Sequence, residues 1–227
     1  MAQPSTIATW NRNPAEEEAM GAAHAPIWRR MIDVSVGHDL HDSTILDYGC
    51  NQGGFLRMLY DRHPFKGAVG IDIARESVAR AELLKGHRPI EYKVADSAAS
   101  VGRTFDFAYS HEVIYLLYDL AGHANDIKAV LRPGGTYIAA MGCHTDSAVW
   151  PRWRKLIAET SSIPIYDHSL EAVAEAFSGA GFTVAVRPLD LDAFMPVTLG
   201  SAYFPKVVDQ LRYYSQDKVL FRFVRTA

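Results

Sequence analysis

A glycine loop and three acids are spaced in this chain as ligand-binding groups. The loop lies in residues 45–56, I-L-D-Y-G-C-N-Q-G-G-F-L. Ile45 and Leu46 are β-type apolar residues ahead of Asp47. Gly49, Gly53 and Gly54 let the backbone turn and approach a ligand, because glycine has no Cβ to obstruct it. The helix after the loop offers free N–H groups, a natural place for a polar or anionic ligand group. Asp72 ends a second apolar run, A-V-G-I-D-I, about 20 residues further on, where an acid reaches a ribose diol. Asp96 ends a third run, E-Y-K-V-A-D. Two histidines come after later runs: His111 in S-H-E-V-I and His144 in M-G-C-H-T-D.

These residues need a scaffold that delivers them to one place. After the loop, 55–62 reads as a helix stopped by Pro64. Residues 68–73 read as a strand and 75–86 as a helix with Gly86 as C-cap. Strands come next at 91–96 and 105–110, then a helix over 117–131 that Pro133, Gly134 and Gly135 end, then a strand at 136–141. Strand, helix, parallel strand repeats throughout, which demands a sheet covered on both faces. Further on come helices at 147–160 and 169–178, the second capped by Ser169, and strands at 182–187 and 219–224. The intervening stretch, 188–217, is long enough to be functional or self-structured, and 202–214 suits a helix. Ahead of the sheet, Met1 to Asn13 reads as irregular. Pro14 opens a helix with Glu16, Glu17 and Glu18 in its first turn, running toward Val36 with His24 near its apolar face.

Taken in order, D-x-G-C-x-x-G-G, G-I-D-I, V-A-D-S, S-H-E-V-I and L-R-P-G-G-T-Y resemble the class I S-adenosylmethionine-dependent methyltransferases over residues 44–141. Asn51 stands where that family usually has a second loop glycine. Asparagine tolerates a left-handed backbone better than most residues, so the loop can still form. The absence of G-x-G-x-x-G counts against a dinucleotide.

The resemblance implies an α/β, Rossmann-like sheet of seven mostly parallel strands with helices on both faces. It also implies an antiparallel last pair, an N-terminal helical lid and an insertion between the last two strands. One methyltransferase domain is expected over 1–227: a lid in 1–43, a cofactor half in 44–142, and a substrate half in 143–227 with the insertion at 188–217. Asp47 and Gly49 then flank the amino-acid end of S-adenosyl-L-methionine, with Cys50, Asn51 and Gly53 completing the loop. Asp72 meets the ribose hydroxyls, Ile73 is a further cofactor-binding residue, and Asp96 meets the adenine with help from Ser97. Ser110, His111 and Glu112 lie beside the sulfonium, and Trp10 and the helix after it close over the cofactor. Plainer readings stay open: a loop acceptor for Asp47, a helix cap for Asp72, a turn residue for Asp96.

Methyl transfer asks the protein for placement and exclusion of water. His144 is a candidate general base, and His111 a second candidate catalytic group; a structural or substrate-orienting role is the alternative. Tyr115, Trp150, Trp153, Phe194 and Tyr203 are candidates for an aromatic acceptor pocket or for core. Arg152 and Arg154 flank Trp153 and are candidates for binding an acidic substrate group or, more simply, for a solvated helix face. Ser110–His111–Glu112–Val113 lacks the N/D-P-P-Y/F/W pattern suited to flipped bases and glutamine amides, which points to a small-molecule acceptor of a methyl group on O or N. No acidic cluster indicates a catalytic metal, though Asp146 leaves that point open.

At 227 residues, one α/β domain is expected. A net charge of −3 and a pI near 6.3 give no broad nucleic-acid footprint. Cys50 and Cys143 form no disulfide framework and no zinc spacing, which fits a reducing cytoplasm. Neither a membrane span nor a signal peptide is expected, and the protein is expected to be a monomer or homodimer. An RNA or protein methyltransferase, a non-catalytic S-adenosylmethionine-binding protein and a nicotinamide oxidoreductase remain as alternatives.

Overall fold

The computed structural model describes residues 6–37 and 39–226, so the expectation for Met1 to Ser5 lies outside the described residues, as does that for the Glu18 side chain. Seven strands form one sheet: β1 (Thr44–Tyr48), β2 (Gly67–Asp72), β3 (Ile90–Val94), β4 (Phe105–His111), β5 (Leu131–Met141), β6 (Phe182–Pro188) and β7 (Val219–Arg225). Their order is β3-β2-β1-β4-β5-β7-β6. The first five pair in parallel, and β7 inserts antiparallel between β5 and β6. This is the architecture expected from the sequence.

Two apolar layers sandwich the sheet. On one face α1 (Pro14–Ser35), α2 (Gly54–Arg62) and α3 (Arg75–Leu84) bury Ile27, Met31, Leu56, Leu59 and Val78 against Ile45, Tyr109 and Ile138. On the other, α4 (Leu120–Val130) and α6 (Leu170–Gly179) bury Ile127, Val173 and Phe177 against Leu46, Tyr137 and Phe223. Neighbouring residues of one strand serve opposite layers, as alternation of side chains along a strand requires. A third cluster, with Tyr115, Trp150 and Ile157, sits beside α5 (Trp150–Thr160).

Several boundaries depart from the sequence reading, each for a local reason. The helix expected at 117–131 starts at Leu120, because Asp119 caps it by accepting from Gly122 N at 2.8 Å; a short 3₁₀ turn, Ile114–Leu116, precedes it. β5 begins at Leu131, five residues early, and continues through Gly134 at φ 78°. Of the helix expected at 202–214, α7 keeps Val207–Arg212, and a π turn, Tyr213–Asp217, takes over. α1 runs through Pro26, whose missing N–H removes one helical hydrogen bond. Residues 7–12 are pinned down rather than irregular. Ile7 N donates to Ile73 O at 2.9 Å, and Ser162 N donates to Trp10 O at 2.8 Å.

Gly53 caps α2 at φ 71°, and a Cβ there would come within 2.3 Å of the Tyr92 ring, whose hydroxyl donates to Gly53 O at 2.9 Å. Gly134 shares the left-handed backbone with nothing within 4 Å. Gly53→Ala should therefore lower stability by about 2–4 kcal/mol and Gly134→Ala by about 1–2 kcal/mol, measured by chemical denaturation. Equal losses would show that the Tyr92 contact yields freely.

Candidate active site

The C-terminal ends of β1 to β5 open into a cavity of about 540 Å³. At one end lie Asp47, Gly49, Cys50, Asn51, Asp72, Ile73 and Asp96. The turn after β1 is shaped by hydrogen bonds. Asn51 takes the left-handed backbone expected of it, φ 46°, and its N–H donates to Asp72 Oδ2 at 2.8 Å. Ala74 N donates to Asp72 Oδ1 at 2.9 Å. Asp72 thus fixes both the glycine loop and the entry to α3. Glu17, 1% exposed, ties α1 to this end: its carboxylate accepts from Asn51 Nδ2 at 2.7 Å, from Ser77 Oγ, and from Asn11 N at 3.3 Å.

Burial and the neighbouring Asp72 push the Asp47 carboxyl up to about 8. Burial likewise raises Asp72 to about 6, although hydrogen bonds from Ala74 and Asn51 oppose it and Glu17 adds to it. Asp47 Oδ2 has no partner. An acid buried among acids, with one oxygen unpaired, suits a ligand that brings positive charge and N–H donors.

The other end of the cavity is aromatic, with Trp28, Tyr115, Trp153, Tyr203, Phe204 and Tyr213 in its lining. Trp153 packs on Tyr213 with ring centres 4.6 Å apart and on Phe204 at 5.2 Å. Here His111 is held by Trp28, whose Nε1–H donates to His111 Nδ1 at 3.2 Å. Indole is a donor only, so the neutral ring carries its proton on Nε2. Burial, then Lys218 and His24, keep His111 well below the ordinary imidazole range. It therefore presents an N–H, and that Nε2 has no partner. His24 lies 4.5 Å from it, ring to ring, and burial and Lys218 lower it to about 4. Glu112 adopts φ 55° at the end of β4 and is ion-paired with Lys218, whose side chain is 2% exposed. Burial raises the Cys50 and Cys143 thiols well above their ordinary range, so neither is a ready nucleophile.

The structure brings most of the expected residues to this cavity, Trp10 included, and leaves others outside its lining. Gly53 lies behind the loop against Tyr92. Ser97 Oγ donates to Asp126 at 2.5 Å, and Ser110 Oγ bonds the Tyr137 hydroxyl at 2.6 Å inside the core. Trp150 is turned away and donates to Asp167 at 2.8 Å. Phe194 is fully exposed. His144, the expected base, is 1% exposed; its Nε2–H donates to the backbone carbonyl of Asp217 at 2.6 Å. It does not line the cavity, because the chain beyond β5 turns it under the π turn rather than toward the strand ends. Asp146 accepts from Leu170 N at 2.7 Å. The sequence alone does not single out Glu17, Trp28 or Lys218, and it places Glu112 beside the sulfonium without a role. Gly54, where a Cβ would fall 2.5 Å from the Trp28 ring, was the local trace of the Trp28 contact.

A family model described as a methyltransferase domain matches residues 18–185. The chain belongs to that family, the class I S-adenosylmethionine-dependent methyltransferases, and the family's methyl donor is S-adenosyl-L-methionine. Among similar proteins, 2-methyl-6-phytyl-1,4-hydroquinone methyltransferase of Synechocystis sp. is 30% identical over 168 residues, 66% of this chain and 52% of that one. Ubiquinone biosynthesis O-methyltransferase of Methylobacterium sp. is 31% identical over 101 residues, 43% of this chain and 40% of that one. The chain thus spans about half the length, or less, of these curated relatives. In fold, it is similar to the putative methyltransferase solved with the Haloferax volcanii Trm112 activator, with TM-score 0.79, 21% identity and 94% and 95% of the two chains covered. It is also similar to geranyl diphosphate C-methyltransferase from Streptomyces coelicolor A3(2), with TM-score 0.67, 16% identity and 100% and 94% covered.

The raised Asp47 carboxyl has a measurable consequence. Its folded value of about 8 exceeds the unfolded value near 4, so across that window the folded protein keeps a proton that the unfolded chain has lost. Stability present below pH 4 should decline as pH rises to about 8. Thermal unfolding of the ligand-free protein should show Tm falling across this range, and Asp47→Asn should flatten the fall. An unchanged slope would assign the proton elsewhere.

Proposed function

We propose that this protein transfers a methyl group from S-adenosyl-L-methionine to an oxygen or nitrogen of a small-molecule acceptor. The observation that carries the reading is one cavity joining an acidic end to an aromatic end. Donor and acceptor can share that space away from water. The acidic end fits the donor: Asp47 has an unpaired oxygen, and Asp72 and Asp96 line the same wall. When bound, S-adenosyl-L-methionine supplies an activated methyl on a sulfonium. Asp47, Gly49, Asn51, Asp72, Ile73 and Asp96 would hold it, with Cys50 in the same wall. Trp10 and α1 would cover it: Trp10 Nε1 has no partner, and Glu17 fastens the helix to Asn51. Tyr115, Trp153 and Tyr203 would contact the acceptor. The names of the two relatives, one a hydroquinone methyltransferase and one an O-methyltransferase of ubiquinone biosynthesis, support a small-molecule acceptor. Among the described residues, no helix is long and apolar enough to cross a membrane.

Placement of donor and acceptor is the larger part of what the chain supplies to the reaction. The loop orients the donor, the aromatic wall excludes water, and His111 offers a hydrogen-bond donor rather than a lone pair. His144 keeps the segment before β7 in place.

Calorimetry tests the reading. S-adenosyl-L-methionine should bind the wild type, and Asp72→Asn should weaken binding by about 1.5–3 kcal/mol, the worth of a hydrogen bond to a charged group. Methyl transfer should then appear in a mass-spectrometric screen of metabolite pools. No binding to the wild type would end the proposal. His144→Ala should lower Tm while leaving donor affinity as in the wild type; a weakened affinity would return His144 to the site.

A further inference from the structure

Glu112 is anomalous for a structural residue. It holds a left-handed backbone without being glycine, asparagine or aspartate, at φ 55°, a strain that persists where surrounding structure enforces it and that concentrates at functional sites. Its Oε1 is occupied by Lys218 Nζ and lies 3.4 Å from the Tyr213 hydroxyl, the Cys143 thiol is a weak donor to the carboxylate, and Oε2 has no N–H or O–H partner. The preceding residue, His111, has an unpartnered Nε2–H. Two adjacent residues of the cavity lining thus carry a buried acceptor and a buried donor that lack partners.

We propose, building on the methyltransferase reading, that Glu112 receives the acceptor's proton and that the acceptor is a phenolic hydroxyl on an uncharged aromatic body. A hydroxyl donates to Glu112 and accepts from His111, so it satisfies both vacancies at once. An ammonium has donors only and leaves His111 Nε2–H unpaired. The lining also argues against an anionic acceptor: besides the protonated Asp47 it holds Glu16, Asp72, Asp96 and Glu112, and its one formal cation among the described residues, Lys218, is engaged by Glu112. A phosphorylated or carboxylated acceptor would meet repulsion with no free cation to offset it. The aromatic wall of Trp153, Tyr203, Phe204 and Tyr213 suits a planar ring.

In the step, a lone pair of the acceptor oxygen forms the new bond to the methyl carbon. The carbon–sulfur bond breaks and leaves its electron pair on sulfur. The hydroxyl proton passes to Glu112 Oε2. The positive charge of the sulfonium and the negative charge of the carboxylate vanish together. Burial would raise the Glu112 carboxyl, but Lys218 outweighs it and holds the group below its ordinary range, so it stands ionised at neutral pH. A weak base suffices, because the hydroxyl proton becomes strongly acidic as the oxygen is alkylated. The same weak base would leave an ammonium protonated and unreactive.

The test uses the full chain with S-adenosyl-L-methionine and three probes: catechol, 4-pentylphenol and benzylamine. Methylated product is read by mass spectrometry, donor affinity by calorimetry and phenol binding by tryptophan fluorescence. The wild type should methylate the phenols and spare the amine. Glu112→Gln should lower kcat on the phenols by about 10²–10⁴-fold, with donor affinity unchanged and phenol binding retained. Glu112→Asp, which keeps the charge, should fold if Gln does not and should recover part of the loss. Lys218→Met should move the acid limb of kcat upward by about one unit or more. The groups facing Glu112 there are His24, His111, Cys143, Tyr213 and Tyr214; His111 stays neutral through the acid limb, whereas His24 gains its proton at about 4. Glu112→Gln or Glu112→Asp turning over phenols at the wild-type rate, an unmoved acid limb, methylation of benzylamine alone, or bound donor with no phenol methylated would each overturn the proposal. A wild type that binds no S-adenosyl-L-methionine would instead fail the methyltransferase reading beneath it.

Discussion

Parallel strands can be joined only by crossovers, and that constraint decides where the rest of this molecule goes. Each of β1 to β4 ends on the same edge of the sheet and hands the chain to a turn there. The acids that terminate the first strands, Asp47 and Asp72, therefore arrive side by side although 25 positions separate them in the numbering. Asp47 pairs with Gly70 and Tyr48 with Ile71, so β1 and β2 expire almost level. The segment after each strand must then line one cavity or turn away from it.

The cavity has two electrostatic characters, and each is set by what surrounds it. At the acidic end, burial and the neighbouring Asp72 act on Asp47, which answers by holding its proton. At the other end, Glu112 has Lys218 and gives its proton up in spite of burial. Burial alone would treat the two acids alike; the partner makes the difference. Between them, α1 acts as a wall rather than a surface helix. Glu17 reaches the glycine loop and Trp28 reaches His111, so one helix touches both ends.

Residues 7–12 complete the enclosure from outside the sheet. Their bonds run to the β2–α3 turn and to the end of α5, two places that the sheet itself does not join. A strap held at both ends by backbone hydrogen bonds can close a cavity without adding to the core, which is consistent with Trp10 lining it while only half buried.

Much of this was legible in the sequence because it is local. Apolar runs alternating with helical stretches declare a covered parallel sheet, and a strand–glycine–helix turn declares a ligand edge whatever packs around it. Asn51 in the left-handed region, Ser169 as a cap and the acids at strand ends all arise from the residue and its immediate neighbours. Side chains that could turn either way were not legible. Ser110 and Trp150 chose the core and Asp167 over the cavity, and His144 chose a carbonyl 73 residues away. The pairs that give the site its chemistry are also far apart in the chain: Glu17 with Asn51 over 34 residues, Trp28 with His111 over 83, and Glu112 with Lys218 over 106. Local sequence determines which backbone conformations are cheap. It says nothing of which distant group arrives to share a buried charge, and only the folded chain brings that partner within hydrogen-bonding distance.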